Sequence, residues 1–131
     1  MNLGELQAGH RFPRYQFSFT DSDIDAYVAA TGDLSPSAAP GHHRIVPPMA
    51  LIAAGLSHMI QLLGLSAGTV HAGQECEFLL PVRPGVAVFA DTELVASSVR
   101  RGSRFATVAT QFFDARGQKL AASSSTVIVP A

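Results

Sequence analysis

Tyr15-Gln-Phe-Ser-Phe19 alternates aromatic and polar residues, the period of a half-buried strand, whereas the fourteen residues before it carry no clear period. Thr20 with Asp23 three positions on has the form of a helix cap, and Asp21 and Asp23 suit a helix N-terminus electrostatically. Ile24, Tyr27, Val28 and Thr31 then share one face of a helix predicted to stop near Gly32. From Asp33 to Pro48 four prolines and no sustained period predict an ordered loop. Met49 to Leu63 is apolar or small at nearly every position, so a helix surrounded by protein on most sides is expected there. Pro48 suits its first turn and Gly64 its stop.

After Gly68 the character changes. Val70 to Leu80, Val86 to Ser98, Arg104 to Phe113 and Lys119 to Val129 are rich in Val, Phe, Thr and Ala and read as strands. Pro81-Val-Arg-Pro-Gly85, Arg100-Arg-Gly-Ser103 and Asp114-Ala-Arg-Gly117 supply the turn residues that antiparallel connections require. The expected architecture is α+β: an antiparallel sheet wrapped around one long buried central helix. No repeat, low-complexity stretch or linker divides residues 1–131, so one domain is expected. One sheet covers only part of a buried helix, which predicts pairing with a second subunit, as a dimer or higher assembly.

Composition narrows the function. At 47% hydrophobic and 15% charged the chain can bury a core and keep a polar surface, and a formal charge of −1 gives no electrostatic case for binding nucleic acid or an anionic membrane. The apolar run from Ile45 to Leu65 is broken by Pro47, Pro48, Ser57, His58 and Gln61, which argues for a buried helix and against a membrane span. With Cys76 as the single cysteine, no intrachain disulfide or multi-cysteine metal site can form, and the cytoplasm is the default location.

Four stretches resemble the MaoC-like hydratases and dehydratases of the hot-dog fold. They are Phe17-Ser-Phe-Thr20 with Asp23-Ile-Asp-Ala-Tyr27, Thr31-Gly-Asp-Leu-Ser-Pro36, Val46-Pro-Pro-Met-Ala50, and Val70-His-Ala-Gly-Gln-Glu-Cys-Glu-Phe78 running into Leu80-Pro-Val-Arg-Pro-Gly85. The last, with the Asp114-Ala-Arg-Gly117 turn and the closing strand, is similar to the subfamily related to the dehydratase domain of type I fatty acid synthases. The resemblance covers most of the chain. It implies an acyl chain on CoA or acyl carrier protein as ligand, no cofactor, and hydro-lyase chemistry between a trans-2-enoyl thioester and its 3-hydroxyacyl form.

That chemistry needs a base for water, an acid for the α-carbon and donors for the thioester carbonyl. In the family an Asp and a His five residues later supply the acid and base groups, and a backbone N–H at the start of the central helix helps hold the carbonyl. Asp33 matches the Asp, but Ala38 stands at the His position and Ser35 where the family usually has Asn. Pro47-Pro48-Met49 replaces the common His-Gly-Met, and proline has no N–H, which leaves the amides of Met49 or Ala50 as candidate carbonyl donors. His42 and His43, further along the same loop, are candidates for the missing base.

Each candidate has a plainer reading. A His pair in a glycine-containing loop can simply be solvated, and Gly-Asp beyond a helix commonly makes a turn bond to the backbone two residues on. His71 is a candidate substrate contact or a packed strand residue bonded to a backbone carbonyl, and His58 is expected to be a satisfied core histidine. Adjacent His42 and His43 lack the spacing of a zinc site, so no metal is expected, and Cys76 is expected to pack. Arg83, Arg100, Arg101 and Arg104 suit carrier phosphates or plain solvation, and none is assigned.

Four readings compete. The first is a hydro-lyase working through Asp33 with His42 or His43. The second, favoured by Ala38, is the non-catalytic acyl-binding subunit of a heteromeric (R)-3-hydroxyacyl dehydratase, whose partner chain carries the Asp and His. Acyl-thioester hydrolysis ranks below both because the central helix holds no Asp or Glu, and a pure interaction module gains no support from the composition.

Overall fold

A computed structural model describes residues 2–65 and 67–131. Its elements are a strand β1 (Tyr15–Phe17), a helix α1 (Asp21–Thr31), the helix α2 (Pro48–Leu63), and strands β2 (Val70–Phe78), β3 (Val88–Arg100), β4 (Ser103–Phe113) and β5 (Lys119–Pro130). The five strands form one antiparallel sheet in the order β1-β3-β4-β5-β2, so β1 and β2 are its edges. The sheet and the α2 that lies on it are the expected α+β hot-dog arrangement.

Local chemistry sets the boundaries. Thr20 caps α1 as a full capping box, its hydroxyl accepting from the Asp23 N–H while the Asp23 carboxylate accepts from the Thr20 N–H. Hydrogen bonds from the Thr20 backbone N–H first and its side chain second hold the Asp23 carboxyl below its ordinary range. The β3–β4 connection is tighter than the sequence suggests: β3 runs on to Arg100 and only Arg101 and Gly102 turn, both with positive φ (50° and 79°). This is the geometry of a two-residue hairpin loop, and it costs Arg101 some backbone strain.

The helix-facing side of the sheet alternates as a half-buried sheet must. Val88, Ala90, Thr92 and Leu94 on β3 and Ala106, Val108, Thr110 and Phe112 on β4 are all buried. The Thr92 and Thr110 hydroxyls satisfy each other at 3.2 Å. Against this face α2 buries Ala50, Leu51, Ile52, Gly55, Met59 and Leu63. The contact is close because of Gly55, where a Cβ would lie 2.9 Å from Phe112 Cζ.

Coverage of α2 is one-sided in the single chain. Met49 and Ile60 on its other flank are 48% and 49% exposed, so the expectation of a helix enclosed on most sides holds for the sheet face only. Among the described residues no helix is long and apolar enough to cross a membrane.

Gly55→Ala forces a methyl group into the Phe112 ring and is expected to cost about 1–3 kcal/mol of stability through overpacking. A urea unfolding curve with a lower midpoint and unchanged slope is the outcome that checks it.

Candidate functional site: the loop before the central helix and the cavities beside it

The loop from residue 33 to residue 47 is held by one buried guanidinium. Arg44, 3% exposed, donates from Nε to the Ala38 carbonyl (2.9 Å), from Nη1 to Asp21 Oδ1 (2.9 Å) and the Asp21 carbonyl (3.3 Å), and from Nη2 to Asp25 Oδ1 (2.7 Å). Asp21 and Asp25 are one turn apart on α1 and so present both carboxylates to the same cation. Three further bonds close the loop: Ile45 N–H to the Ser37 carbonyl, Val46 N–H to the Val82 carbonyl (2.7 Å), and Arg83 Nη1 to the His42 carbonyl (3.2 Å). Arg83 thus has a structural use beside the open question of phosphates.

Within this frame the candidate reactive groups stay apart. Asp33 Oδ1 accepts from the Ser35 N–H at 2.9 Å, the turn bond that its plainer reading foresaw. The Ser35 hydroxyl first and its amide second hold the Asp33 carboxyl below the ordinary carboxylate range. His42 and His43 are exposed, and among the described residues no hydrogen bond or ion pair joins either imidazole to Asp33. Ala38, at the family's His position, is 4% exposed, a buried methyl where an imidazole would stand. At the start of α2 the Ala50 N–H is already given to the Pro47 carbonyl (2.9 Å), which leaves the Met49 N–H as the remaining candidate carbonyl donor.

Two apolar cavities flank α2. The first, about 220 Å³, lies at its N-terminal end between Val46, Pro48 and Leu51 on one side and Phe78, Leu80 and Val82 on the other. The second, about 280 Å³, lies towards its C-terminal end, walled by Leu56, Met59, Ile60, Leu65 and Val127 together with the polar Thr69 and His71. Among the described residues no three His, Cys, Asp or Glu side chains gather as a metal site.

Three expectations change. His71 is exposed, and its Nε2 lies 3.0 Å from the Gln74 side-chain oxygen, so its partner is an amide side chain and no backbone carbonyl. Cys76 is exposed, because β2 is an edge strand on which only Gly73 and Gln74 are even half-buried; strand alternation buries a residue only where something covers the edge. His58 is no satisfied core histidine: half-buried, it stacks on Tyr15 with ring centroids 3.6 Å apart, and no hydrogen bond involves it among the described residues. Burial raises the Tyr15 phenol to about 12 and leaves its hydroxyl without a partner among those residues.

Arg44, Leu51, Gln74 and Phe78 were not singled out from sequence. A signal for Arg44 existed in the Asp21/Asp25 spacing, since two acids one turn apart call for a shared cation. Gln74 gave none, because the buried hydroxyl that anchors it, Ser125, comes from a distant strand.

The fold and this loop–helix–cavity arrangement define a MaoC-like hot-dog chain. The family model described as the FAS1-like dehydratase domain region matches residues 7–123, and the chain belongs to that family. Among solved structures it is similar to the (R)-hydratase of A. caviae involved in PHA biosynthesis, at 27% identity and TM-score 0.78, covering 96% of this chain and 98% of that one. R-hydratase PhaJ1 from Pseudomonas aeruginosa aligns at 21% identity and TM-score 0.78, covering 97% and 84%. The C-terminally truncated HadBC (3R-hydroxyacyl-ACP dehydratase) complex from Mycobacterium tuberculosis aligns at 16% identity and TM-score 0.76, covering 93% and 96%. No curated protein matches the chain.

Two outcomes test the geometry. Replacing Arg44 with Met removes the donors to Ala38 and α1, and faster amide hydrogen exchange at Ile45 and Ala39 is expected, with a lower urea midpoint. For His58, burial lowers the imidazole below its ordinary 6.5. The unfolded chain therefore binds that proton more readily, so His58 contributes stability above about pH 6.5 that is lost as pH falls through its folded value. Urea midpoints across that range should slope less in His58→Leu than in the parent chain.

Proposed function

We propose that this chain is an acyl-thioester-binding subunit of a hydratase/dehydratase, holding the acyl group beside α2 while a partner hot-dog chain supplies the acid–base pair. The observation that carries the reading is the division within one loop: an apolar cavity lies at its end, and among the described residues no hydrogen bond or ion pair joins Asp33 to an imidazole. A carboxyl held below its ordinary range is ionised at neutral pH and is a weak proton donor, and the base that would complement it is the buried methyl of Ala38. The cavity walls and the free Met49 N–H suit a thioester whose carbonyl lies at the helix start and whose chain runs into the apolar space.

A partner chain is supported by the surface. The edge strand β2 has an unpaired side, and Val70, Phe78, Leu79 and Leu80 at and just beyond its ends are between 44% and 54% exposed. HadBC is itself a complex, which lends the heteromeric reading support by likeness of fold. CoA or acyl carrier protein is the proposed carrier and the cytoplasm the proposed location. The alternative, a relocated dyad of Asp33 with His42 or His43, draws on their presence in one loop.

The test is hydration of crotonyl-CoA and longer trans-2-enoyl-CoAs by the purified chain, followed spectroscopically, beside calorimetric binding of saturated acyl-CoAs. Binding without turnover is expected. Phe78→Ala should weaken binding about 5–30-fold, corresponding to about 1–2 kcal/mol of lost apolar contact. Turnover in the parent chain that disappears in Asp33→Asn and in the His42→Ala/His43→Ala double variant would establish the relocated dyad instead.

A further inference from the structure

The two cavities beside α2 share the same pair of walls. Phe78, at the C-terminal end of β2, faces Leu51 across the first, and His71, near the N-terminal end of β2, faces Met59 across the second. Leu51 and Met59 are eight residues apart, about 12 Å along the helix axis. A chain anchored by its thioester at the start of α2 and laid along this flank would point its far end towards the second cavity.

The wall there is not purely apolar. Gln74 Oε1 accepts from the Ser125 hydroxyl at 2.6 Å and lies 3.0 Å from His71 Nε2, while Gln74 Nε2 donates to the Glu75 carbonyl at 3.4 Å. These contacts orient the amide with its oxygen towards Ser125 and His71. Ser125 is 3% exposed, so the anchor of the chain is buried in the sheet. An amide oxygen has no hydrogen to give, so the hydrogen in the His71–Gln74 bond belongs to the imidazole Nε2. A neutral ring carrying its hydrogen on Nε2 has a lone pair on Nδ1, and among the described residues no hydrogen bond involves that nitrogen.

We infer that His71, held by Gln74 and Ser125, is a specificity determinant for acyl chains bearing a hydroxyl group towards their far end. An acceptor nitrogen at the margin of an apolar cavity favours a ligand that donates a hydrogen there and disfavours one of equal shape that only accepts. The inference deepens the acyl-thioester reading and rests on it.

Isothermal titration of the purified chain with decanoyl-CoA, ω-hydroxydecanoyl-CoA and the ω-methoxy ether separates the two. The ether accepts a hydrogen bond but cannot donate one. The hydroxylated chain is expected to bind about 5–10-fold more tightly than the ether, the worth of one net hydrogen bond. His71→Phe should bring hydroxyl and ether to equal affinity, whatever it does to the affinity for decanoyl-CoA; His71 is exposed, so the variant keeps its fold. Gln74→Leu should reduce the preference by releasing the tautomer. Equal binding of hydroxyl and ether by the parent chain, with decanoyl-CoA still bound, overturns the inference and leaves the acyl-thioester reading standing. Binding of none of the three overturns both.

Discussion

A guanidinium buried to 3% exposure governs the loop that leads into the central helix. Burying a cation is unfavourable unless its donors are matched, and Arg44 has two carboxylates and two backbone carbonyls around it. The carboxylates come from the first turns of α1, where negative charge is already favoured by the helix N-terminus, so each stabilises two partners from one position. The carbonyls come from Asp21 and Ala38. One side chain therefore ties the loop to the first turns of α1 and holds residue 38 by its carbonyl, with its methyl group buried. With the Val46–Val82 bond the loop delivers Pro47 and Pro48 to the start of α2 in a set direction, and the cavity at that end is a consequence.

The distance between α2 and the sheet is the second constraint. Gly55 lets the helix backbone approach the Phe112 ring, and the core divides on either side of that contact. One cluster gathers Ile24, Val46, Leu51 and Phe112, the other Leu3, Phe12, Met59 and Val127, with Leu56 packing against both. Each half of the helix is thus anchored independently. The flank towards β2 is left open at both ends, because β2 is an edge strand with no neighbour beyond it.

Most of the fold was legible because it is written in local terms: the Thr20–Asp23 cap, the stops at Gly32 and Gly64, the apolar run of α2 and the turn residues between strands each depend on a few neighbours in sequence. What was not legible depended on which strand lies at an edge. Cys76 and His71 sit on a segment that reads as a strand, and only the order β4-β5-β2 shows that it lies at the edge of the sheet. The same holds for the site. Sequence alone showed that Ala38 replaces a histidine and that two others lie nearby, but whether a loop folds back depends on its tethers. Arg44 and Arg83 tether it through backbone carbonyls, an acceptor that every residue carries and that leaves no mark in a sequence.

The proposed separation between holding and reacting has a physical basis. Binding an acyl chain requires apolar area and one or two oriented donors, demands that a fold can meet with a helix N-terminus and a sheet edge. Proton transfer requires two titratable groups at matched distance and matched affinity, and these are lost with a single substitution. At residue 33 the carboxylate is consumed by a turn, and at residue 38 the side chain is a methyl held inward by a bond to its own carbonyl. Restoring an imidazole at 38 would have to displace the packing that Arg44 imposes. On the proposed reading the loop is held in a form suited to presenting an acyl group, and the unpaired side of β2 leaves room for a second chain.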